Sequence, residues 1–334
     1  MRVLLTGAFG NVGESAMLSL LETDHDVCCL ELRTSRNEKV MKQLLRIREF
    51  ETIWGDIRDA DVVLNAMKEV ECVVHLAAII PPASDNAPDL TRSVNVGGTK
   101  SILEAAENLG TTPKLIYASS IATYGHCSGR GPPKTADDPQ IATDLYTETK
   151  IECELLIRQS HLPWTILRFG VVPPLSLNWF EALKDPYIFG IPLEQRMEFI
   201  HTRDIGLAIA NAVSAETDGK ILLLGGGERC RMTYKGFISR TLGAVGMKML
   251  PDSAFIQPTC DEEYFHTDWM DTEESQMLLQ YQTRDFDDYL RELRETIGMK
   301  RHFLKLLRGM AMSQLLSASP YYEADTRKQA SQSL

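Results

Sequence analysis

The first thirteen residues constrain this chain most, because they join a buried-strand pattern to regularly spaced glycines. Residues 2–6 are mainly apolar, glycines follow at Gly7, Gly10 and Gly13, and a helix-forming run continues to Leu21. Glycines let a backbone approach a diphosphate closely, and the unpaired N–H groups at a helix start bind anions. The pattern predicts a strand, a phosphate-holding turn and a helix, with a tight turn that holds no ligand as the alternative.

Strand patterns and helical segments alternate along most of the chain. Strands are predicted at residues 26–31, 52–56, 72–78, 114–119, 164–168 and 220–224, and helices at 37–49, 60–68, 90–109, 144–160, 234–242 and 286–297. Strands separated by helices of this length imply right-handed crossovers and a parallel sheet. The predicted fold class is α/β, a doubly wound parallel sheet whose functional crevice lies at the strand carboxyl ends.

Glu31 stands at the end of the second predicted strand, 18 residues after Gly13. A carboxylate there can accept hydrogen bonds from ribose hydroxyls and repel a 2′-phosphate, which favours NAD over NADP. A solvated acid at a strand end is the alternative interpretation. Arg33 and Arg36 leave the cofactor choice open, because a cation beside Glu31 could pair with a 2′-phosphate.

The next two predicted strands and the turn between the first of them and its helix contain polar residues that could be structural or functional. Asp56 could accept a hydrogen bond from an adenine amino group or cap the following helix, and we predict that Asp59 is the cap. His75 lies inside an apolar strand of the kind that is covered on both faces. We therefore predict that His75 is a hydrogen-bonded core histidine and not a catalyst.

Tyr146 and Lys150 stand four residues apart in a predicted helix, so they share one helix face. Of the ten tyrosines, only Tyr146 has a lysine at this spacing. A neighbouring ammonium lowers a tyrosine pKa, which suits proton exchange with an alcohol or a carbonyl. Ser120, at the end of the fifth strand, offers a hydroxyl for the substrate oxygen. A polar pair on an exposed helix surface is the alternative.

Seven motifs occur in one order within residues 1–245. They are the glycine turn, Gly55-Asp56-Ile57-x-Asp59, His75-Leu-Ala-Ala78, Asn95-x-x-Gly98-Thr99, Ser119-Ser120-x-x-x-Tyr124-Gly125, Tyr146-x-x-x-Lys150 and Phe199-Ile-His-Thr-Arg-Asp204. Together they resemble the extended short-chain dehydrogenases/reductases, and among these the NAD-dependent epimerase/dehydratase group. The resemblance implies a Rossmann-type fold and hydride transfer at a secondary alcohol or ketone.

The resemblance also implies roles for individual residues. Tyr146 would be the catalytic acid/base, Lys150 would lower its pKa and hold the nicotinamide ribose, and Ser120 would bind the reacting oxygen. The cofactor would be NAD, with NADP as the alternative. Its contacts are expected from Gly7, Phe9, Gly10, Asn11, Val12, Gly13, Glu31, Arg33, Asp56, Ile57, Leu76, Ala77, Ala78, Asn95, Tyr146, Lys150, Phe169 and Val171.

The chain departs from the nucleotide-sugar enzymes of this group after its sixth strand. Arg168 is followed by Phe169 and Gly170, without the asparagine that those enzymes commonly carry, and residues 174–198 form a short and apolar segment. These departures favour a dehydrogenase or reductase of another hydroxy or keto compound, with a nucleotide-sugar epimerase as the alternative. A cofactor-sensing binding protein is the rival hypothesis from another functional class.

Residues 1–170 and 199–224 are expected to form the dinucleotide-binding domain, 171–198 and 225–316 a smaller C-terminal substrate lobe, and 317–334 a flexible tail. The stretch 300–316 is basic and amphipathic in an otherwise acidic protein. We expect it to pack on its own protein or on a second subunit, with a membrane surface as the alternative. A homodimer is an expectation from the resemblance alone.

Composition narrows the class of partner and the location. A formal net charge of −11 opposes nucleic-acid binding, because phosphates would be repelled, and favours a small-molecule substrate. No apolar run approaches the ~20 residues that cross a bilayer, and the chain opens on a strand instead of a secretory signal, so a cytoplasmic location is expected. The seven cysteines show no C-x-x-C pair, which predicts buried thiols and no metal site.

Overall fold

The computed structural model describes residues 1–175, 186–299, 301, 305 and 307–322. Nine strands are present in these residues: β1 (Arg2–Thr6), β2 (Asp26–Glu31), β3 (Glu51–Trp54), β4 (Cys72–His75), β5 (Lys114–Ser120), β6 (Trp164–Phe169), β7 (Arg196–Glu198), β8 (Lys220–Leu224) and β9 (Arg231–Thr233). Seven of them form a parallel sheet in the order β3-β2-β1-β4-β5-β6-β8. The predicted α/β fold with a doubly wound parallel sheet is confirmed.

The helices of the described residues connect these strands and cover the sheet. They are α1 (Asn11–Leu21), α2 (Ser35–Leu44), α3 (Ala60–Ala66), α4 (Ala83–Asn86), α5 (Pro88–Arg92), α6 (Gly98–Leu109), α7 (Leu145–Gln159), α8 (Thr202–Ser214), α9 (Tyr234–Ala244), α10 (Glu273–Leu279), α11 (Phe286–Ile297) and α12 (Arg308–Ala318). The single helix predicted at 90–109 is interrupted by a π-helical turn, Ser93–Gly97, between α5 and α6. A π turn inserts one residue into the helical ladder and is often found at functional sites.

Alternation along each strand divides the core between the two faces of the sheet. Leu5 and its neighbours on one face pack against α1 and α8, where Leu20 and Ile209 are fully buried. Leu4 and its neighbours on the other face pack against α6 and α7, where Ile102 and Ile157 are fully buried. Successive side chains of a strand point to opposite faces, so an all-apolar strand is covered on both.

A third apolar cluster lies outside the sheet and belongs to the C-terminal part of the chain. It joins α9, α11 and α12 to the antiparallel pair β7–β9, with Phe199, Leu242 and Leu290 among its buried members. Leu315 of α12 is buried there, and Ala311 and Met312 pack against the same cluster, so the described end of the basic stretch packs on its own protein. Ser319, in the predicted flexible tail, is also buried, because its hydroxyl donates to the Ala254 carbonyl at 2.6 Å.

Several smaller expectations can be compared with the structure. Asp59 caps α3, because its carboxylate accepts hydrogen bonds from the N–H groups of Asp61 and Val62. All seven cysteines are free thiols, and all except Cys260 are buried. Within the described ranges, no helix combines the length and apolar character needed to span a bilayer. Residues 323–334 of the predicted tail lie outside the described residues.

Candidate active site

Two cavities lie along the carboxyl ends of the sheet strands. The first, of about 380 Å³, is lined by Tyr146 and is called here the Tyr146 cavity. The second, of about 410 Å³, is lined by Glu31 and is called the Glu31 cavity. Gly7 and Gly10 line both cavities. The glycine turn is therefore the junction of one continuous cleft.

The glycine turn has a shape that side chains would block. Gly7 has a φ of +73°, and a Cβ atom on Gly13 would lie 2.0 Å from the Gly7 carbonyl oxygen. The turn closes with a hydrogen bond of 3.2 Å from the Gly10 N–H to the same oxygen. Gly10 precedes α1 without a side-chain cap, so the first N–H groups of the helix are available to an anion.

Glu31 connects the end of β2 to this turn. One carboxylate oxygen accepts the Phe9 N–H at 2.9 Å, and the other accepts the Asn37 side-chain amide at 3.2 Å. Burial raises the pKa of Glu31, against the lowering effect of the Phe9 hydrogen bond. A carboxylate has about four acceptor positions, so Glu31 can accept further hydrogen bonds from a ligand in the Glu31 cavity.

The two arginines near Glu31 differ in their access to the cavity. Arg33 lines neither cavity, and its exposed side chain pairs with Glu38 at 2.8 Å. Arg36 lines the Glu31 cavity and approaches Glu14 at 3.5 Å. The predicted contact of Arg33 with a cofactor is not supported by its position, whereas Arg36 is within the cleft.

Asp56 and Ile57 line the far end of the Glu31 cavity. The Asp56 carboxylate accepts two hydrogen bonds from the Arg58 guanidinium, at 2.6 and 2.9 Å, and these lower the pKa of Asp56. Ile57 is buried against Gly98 at the start of α6. Asp56 therefore offers an anchored carboxylate at the place that the sequence predicted.

Asn95, in the π-helical turn, lies next to the cleft without lining either cavity. Its side-chain oxygen accepts the Ile79 N–H at 2.7 Å, and its amide donates to the Ile79 carbonyl and to the Thr149 hydroxyl, each at 3.0 Å. These contacts connect the loop after β4 with α7. Asn95 is thus placed to support the site, and its position does not support the predicted direct cofactor contact.

Tyr146 lies in the first turn of α7, which the capping box of Asp144 and Thr147 fixes. The Ser120 side chain, at the end of β5, is close enough to the phenol to lower its pKa, against the larger raising effect of burial. The Ser120 hydroxyl oxygen also accepts the Ala122 N–H at 3.1 Å. The predicted phenol and hydroxyl therefore meet at the wall of one cavity.

Lys150 lies one helical turn after Tyr146 and lines the same cavity. Its ammonium donates to the Ala118 carbonyl at 2.6 Å and lies 5.8 Å from the centre of the Tyr146 ring. Burial lowers the pKa of Lys150 to about 8 and raises the pKa of Tyr146 to about 12. The predicted lowering of the Tyr146 pKa is not observed, because burial outweighs the effect of the Ser120 side chain and the ammonium is directed to Ala118.

His75 is a buried core histidine, as the sequence predicted. Its Nδ1 pairs with the Thr6 hydroxyl at 2.8 Å and its Nε2 with the Thr99 hydroxyl at 3.1 Å. Burial lowers the pKa of His75 to about 3. The ring is therefore neutral at physiological pH and joins β1 and β4 to α6.

A buried ion pair next to Ser120 was not predicted. Glu154 and Arg168 are both fully buried and join α7 to β6 at 2.7 Å. The Glu154 carboxylate also accepts the Ser119 hydroxyl at 2.5 Å, next to Ser120. The spacing of Glu154 could have indicated that it lies near the site. Glu154 follows Lys150 by four residues, as Lys150 follows Tyr146, so all three lie on one helix face.

The opposite wall of the Tyr146 cavity comes from the C-terminal part of the chain. Tyr187, Phe265, His266 and Thr267 line it, and they are called here the lobe wall. The Tyr187 hydroxyl lies 3.4 Å from His266 Nε2. Burial lowers the pKa of His266, which keeps the ring neutral at physiological pH. No local pattern predicted these residues, because they reach the site only through tertiary packing.

Charge is scarce in the Tyr146 cavity. Among its described lining residues, only Lys150 and His266 can carry a positive charge.

Most of the residues that are expected to contact a cofactor line one cavity or the other, and their contact with a cofactor stays a prediction. The two cavities are lined by Gly7, Phe9, Gly10, Asn11, Val12, Gly13, Glu31, Asp56, Ile57, Leu76, Ala77, Ala78, Ser120, Tyr146, Lys150, Phe169 and Val171.

Known proteins resemble this chain over part of its length. Relatives include a 3 beta-hydroxysteroid dehydrogenase/Delta 5→4-isomerase of Mycobacterium tuberculosis, which is 31% identical over 47% of this chain and 42% of its own. A UDP-glucose 4-epimerase of Lacticaseibacillus casei is 28% identical over 51% of this chain and 49% of its own. The chain thus spans about half the length of the curated relatives it matches.

A solved UDP-glucose-4-epimerase of Stenotrophomonas maltophila has the same fold, with a TM-score of 0.74, 20% identity and coverage of 90% of this chain and 99% of its own. The family model that describes the NAD dependent epimerase/dehydratase family matches residues 3–225, which is most of the chain. The protein therefore belongs to the NAD-dependent epimerase/dehydratase family.

Proposed function

We propose that this protein is an NAD-dependent oxidoreductase that transfers hydride at a secondary alcohol or ketone. One observation carries the proposal: Ser120, Tyr146 and Lys150 line a single cavity that continues into the glycine turn. A dinucleotide bound along this cleft would extend from the Glu31 cavity to the residues that can exchange a proton. A purely structural role of the Tyr146–Lys150 pair would not require a cavity there.

The residues of the cleft fit a dinucleotide. The first N–H groups of α1, with Asn11 and Val12, suit the diphosphate, and the crowding at Gly13 leaves no room for a side chain there. Glu31 suits the adenosine ribose, and Asp56 suits the adenine amino group. Lys150 would hold the nicotinamide ribose. NAD is preferred over NADP because a buried carboxylate at Glu31 would repel a 2′-phosphate.

Ser120 and Tyr146 would handle the substrate oxygen. In the oxidation direction the Ser120 hydroxyl holds the alcohol, and the Tyr146 phenolate takes its proton while the C–O bond becomes a carbonyl. The phenolate is the minor form of Tyr146, because burial raises the pKa of the phenol to about 12. In the reduction direction the Tyr146 phenol returns that proton to the oxygen. When bound, NAD supplies the hydride acceptor, so the alcohol loses one hydride and one proton. Lys150 stabilises negative charge on the phenolate as it forms.

The charge of the Tyr146 cavity supports a dehydrogenase or reductase over a nucleotide-sugar epimerase. A sugar diphosphate needs cationic partners, and the described lining offers only Lys150, which is bonded to Ala118, and a neutral His266. The relatives act on steroids and on sugar nucleotides by name, and another is a D-erythronate dehydrogenase of Cupriavidus necator. The epimerase is kept as the second candidate because UDP-glucose 4-epimerases recur among the relatives.

A substrate panel tests the proposal. Purified protein is incubated with NAD and a 3β-hydroxysteroid, D-erythronate or UDP-glucose, and the absorbance of reduced nicotinamide is followed. We expect stoichiometric reduction of added NAD with a non-nucleotide substrate. Epimerisation of UDP-glucose without net consumption of cofactor would support the second candidate. Absence of both activities, with NAD bound, would favour the cofactor-sensing protein.

The proposal includes two further expectations. The enzyme works in the cytoplasm on a small-molecule substrate, which follows from the hydropathy and net charge of the chain, and it forms a homodimer, which follows from the resemblance alone. Analytical ultracentrifugation at micromolar concentration measures the second expectation directly. A species with the 37.5 kDa mass of a single chain would contradict it.

A further inference from the structure

The lobe wall carries polar groups that the proton-transfer chemistry does not use. It faces the cavity whose other wall holds Ser120 and Tyr146, and it presents the His266 ring and the Tyr187 hydroxyl. Thr267 adds a third group, because its side-chain oxygen is buried and has no hydrogen-bond partner among the described residues. A buried polar atom without a partner costs stability, and a ligand or an ordered water at the site is one explanation for it.

The backbone of the lobe wall is held firmly from two sides. The Gln195 side chain is buried, accepts the Phe265 N–H at 2.7 Å and donates to the Thr267 carbonyl at 2.6 Å. On the other side, the Cys127 N–H donates to the Phe265 carbonyl at 3.1 Å. His266 lies between these anchors, and its ring stacks on the Phe265 ring with 3.9 Å between the ring centres, so the ring is preorganised.

The surroundings of His266 select an uncharged oxygen group as its partner. The carboxylates of Asp144 and Asp85 are close enough to act on the ring electrostatically, and they would repel an anionic substrate group. Ile80 and Ile121 line the same cavity between the two walls. A neutral imidazole and a hydroxyl can each donate to a carbonyl oxygen, and each can donate to or accept from a hydroxyl.

We propose that His266 and Thr267 determine substrate specificity by binding a second, uncharged oxygen of the substrate, a hydroxyl or carbonyl on a largely apolar skeleton. The inference rests on the proposed function, in which Ser120 and Tyr146 bind the first oxygen. It assigns the substrate class as a neutral, bifunctional alcohol or ketone, and it disfavours both hydroxy acids and sugar diphosphates. A rigid 3β-hydroxysteroid with a second oxygen has this chemistry.

Two steroids that differ in one oxygen test the proposal. Dehydroepiandrosterone carries a 3β-hydroxyl and a 17-carbonyl, and androst-5-en-3β-ol lacks the second oxygen. With NAD, we expect the His266→Phe variant to raise the KM for dehydroepiandrosterone about tenfold, with kcat changed less than about threefold, as the loss of one hydrogen bond predicts. The KM for androst-5-en-3β-ol should not change.

Matched variants and a binding measurement complete the design. His126→Phe is the control, because His126 is exposed and lines neither cavity although it contacts the same segment through the Tyr264 carbonyl. His266→Gln, which can still donate a hydrogen bond, should recover part of the affinity. Calorimetric titration of dehydroepiandrosterone into the NAD-loaded protein reports binding independently of turnover, and His266→Phe should weaken it about tenfold.

Several results would overturn the inference. An equal rise of KM for both steroids would show that His266 shapes the wall without binding an oxygen. NAD-dependent turnover of D-erythronate, with no binding or turnover of either steroid, would overturn the neutral substrate class while leaving hydride transfer intact. Steroid binding that depends on His266 without any NAD reduction would instead refute the proposed function and keep the oxygen-binding role of the lobe wall.

Discussion

The two walls of the Tyr146 cavity are built in different ways. The sheet wall consists of the ends of β4, β5 and β6 with α7, and regular strand register brings Ser120 beside Phe169. The lobe wall is an irregular segment that Gln195 holds through hydrogen bonds from about 70 residues away in sequence, and that Cys127 holds from about 140 residues away. The topology of the sheet therefore fixes the sheet wall, which holds Ser120 and Tyr146. A few individual side chains fix the lobe wall, which would contact the rest of the substrate.

This difference suggests how reaction and specificity are separated in the molecule. The sheet wall is anchored by a buried ion pair and two layers of apolar core, so changes there should affect stability or the chemical step. The lobe wall depends on few contacts, so changes there should affect mainly substrate affinity. Four predictions test the contrast, from the largest expected effect to the smallest.

Glu154→Gln should destabilise the protein most. The substitution leaves the Arg168 guanidinium buried without its carboxylate partner, and breaking a buried pair in this way costs about 3–5 kcal/mol. The control is Glu148→Gln on the same helix, whose pair with Arg92 is solvent-exposed and should contribute less than about 1 kcal/mol. Urea denaturation measures both, and equal values for the two variants would contradict the contrast.

Gln195→Ala should have a smaller effect on stability, of about 1–3 kcal/mol, because it leaves the Phe265 N–H and the Thr267 carbonyl without their partner. Since these groups hold the lobe wall, KM should rise more than kcat falls. Urea denaturation measures the loss of stability, and steady-state kinetics measures the changes in KM and kcat. A loss confined to kcat would assign Gln195 to the chemical step and remove the distinction between the walls.

Carbonyl reduction should lose rate as pH rises through about 8. Burial lowers the pKa of Lys150 to about 8, so its ammonium is present below that pH and is lost above it, whereas the Tyr146 phenol, with a pKa of about 12, stays protonated throughout. Above pH 8 the rate with NADH should fall about tenfold per unit. His266→Phe should have the same profile as wild type, and a profile that is flat to pH 10 would refute the role of Lys150.

Glu31→Gln should have the smallest effect, a decrease of about tenfold in the preference for NAD over NADP, because the amide no longer repels a 2′-phosphate. Arg33→Met is the matched control, since Arg33 pairs with Glu38 and lines neither cavity. Fluorescence titration with NAD and with NADP gives the two dissociation constants, and their ratio is the preference. A larger shift from Arg33→Met than from Glu31→Gln would reverse the assignment of these side chains.

The sequence predicted the sheet wall far better than the lobe wall. Strand alternation and glycine spacing are local signals, and parallel topology then brings Glu31, Ser120 and Tyr146 to one edge of the sheet. The burial of a side chain depends on tertiary packing and cannot be read from neighbouring residues. The sequence therefore did not predict that burial raises the pKa of Tyr146 and lowers that of Lys150. His266 reaches the cavity through a contact network that no spacing in the sequence indicates.

Two other differences between the sequence predictions and the structure, the interrupted helix at 90–109 and the position of Arg33, also have physical causes. The predicted helix at 90–109 is one continuous pattern in sequence, but Asn95 forms hydrogen bonds with Ile79 and Thr149 from a π turn. Arg33 looked equivalent to Arg36 in sequence, yet a local pair with Glu38 directs it away from the cleft. In both cases the periodicity of the sequence allowed two arrangements, and a hydrogen bond or an ion pair of one side chain determined which of them formed.

The rate of NAD reduction by a Tyr146→Phe variant, measured beside its NAD affinity, tests the central claim most directly. The variant keeps the ring and removes the phenol group that contacts Ser120, so we predict a rate decrease of about 10²–10⁴-fold with unchanged NAD affinity and stability. The measurement uses the best substrate of the panel. A Tyr146→Phe enzyme that reduces NAD at the wild-type rate would contradict the account.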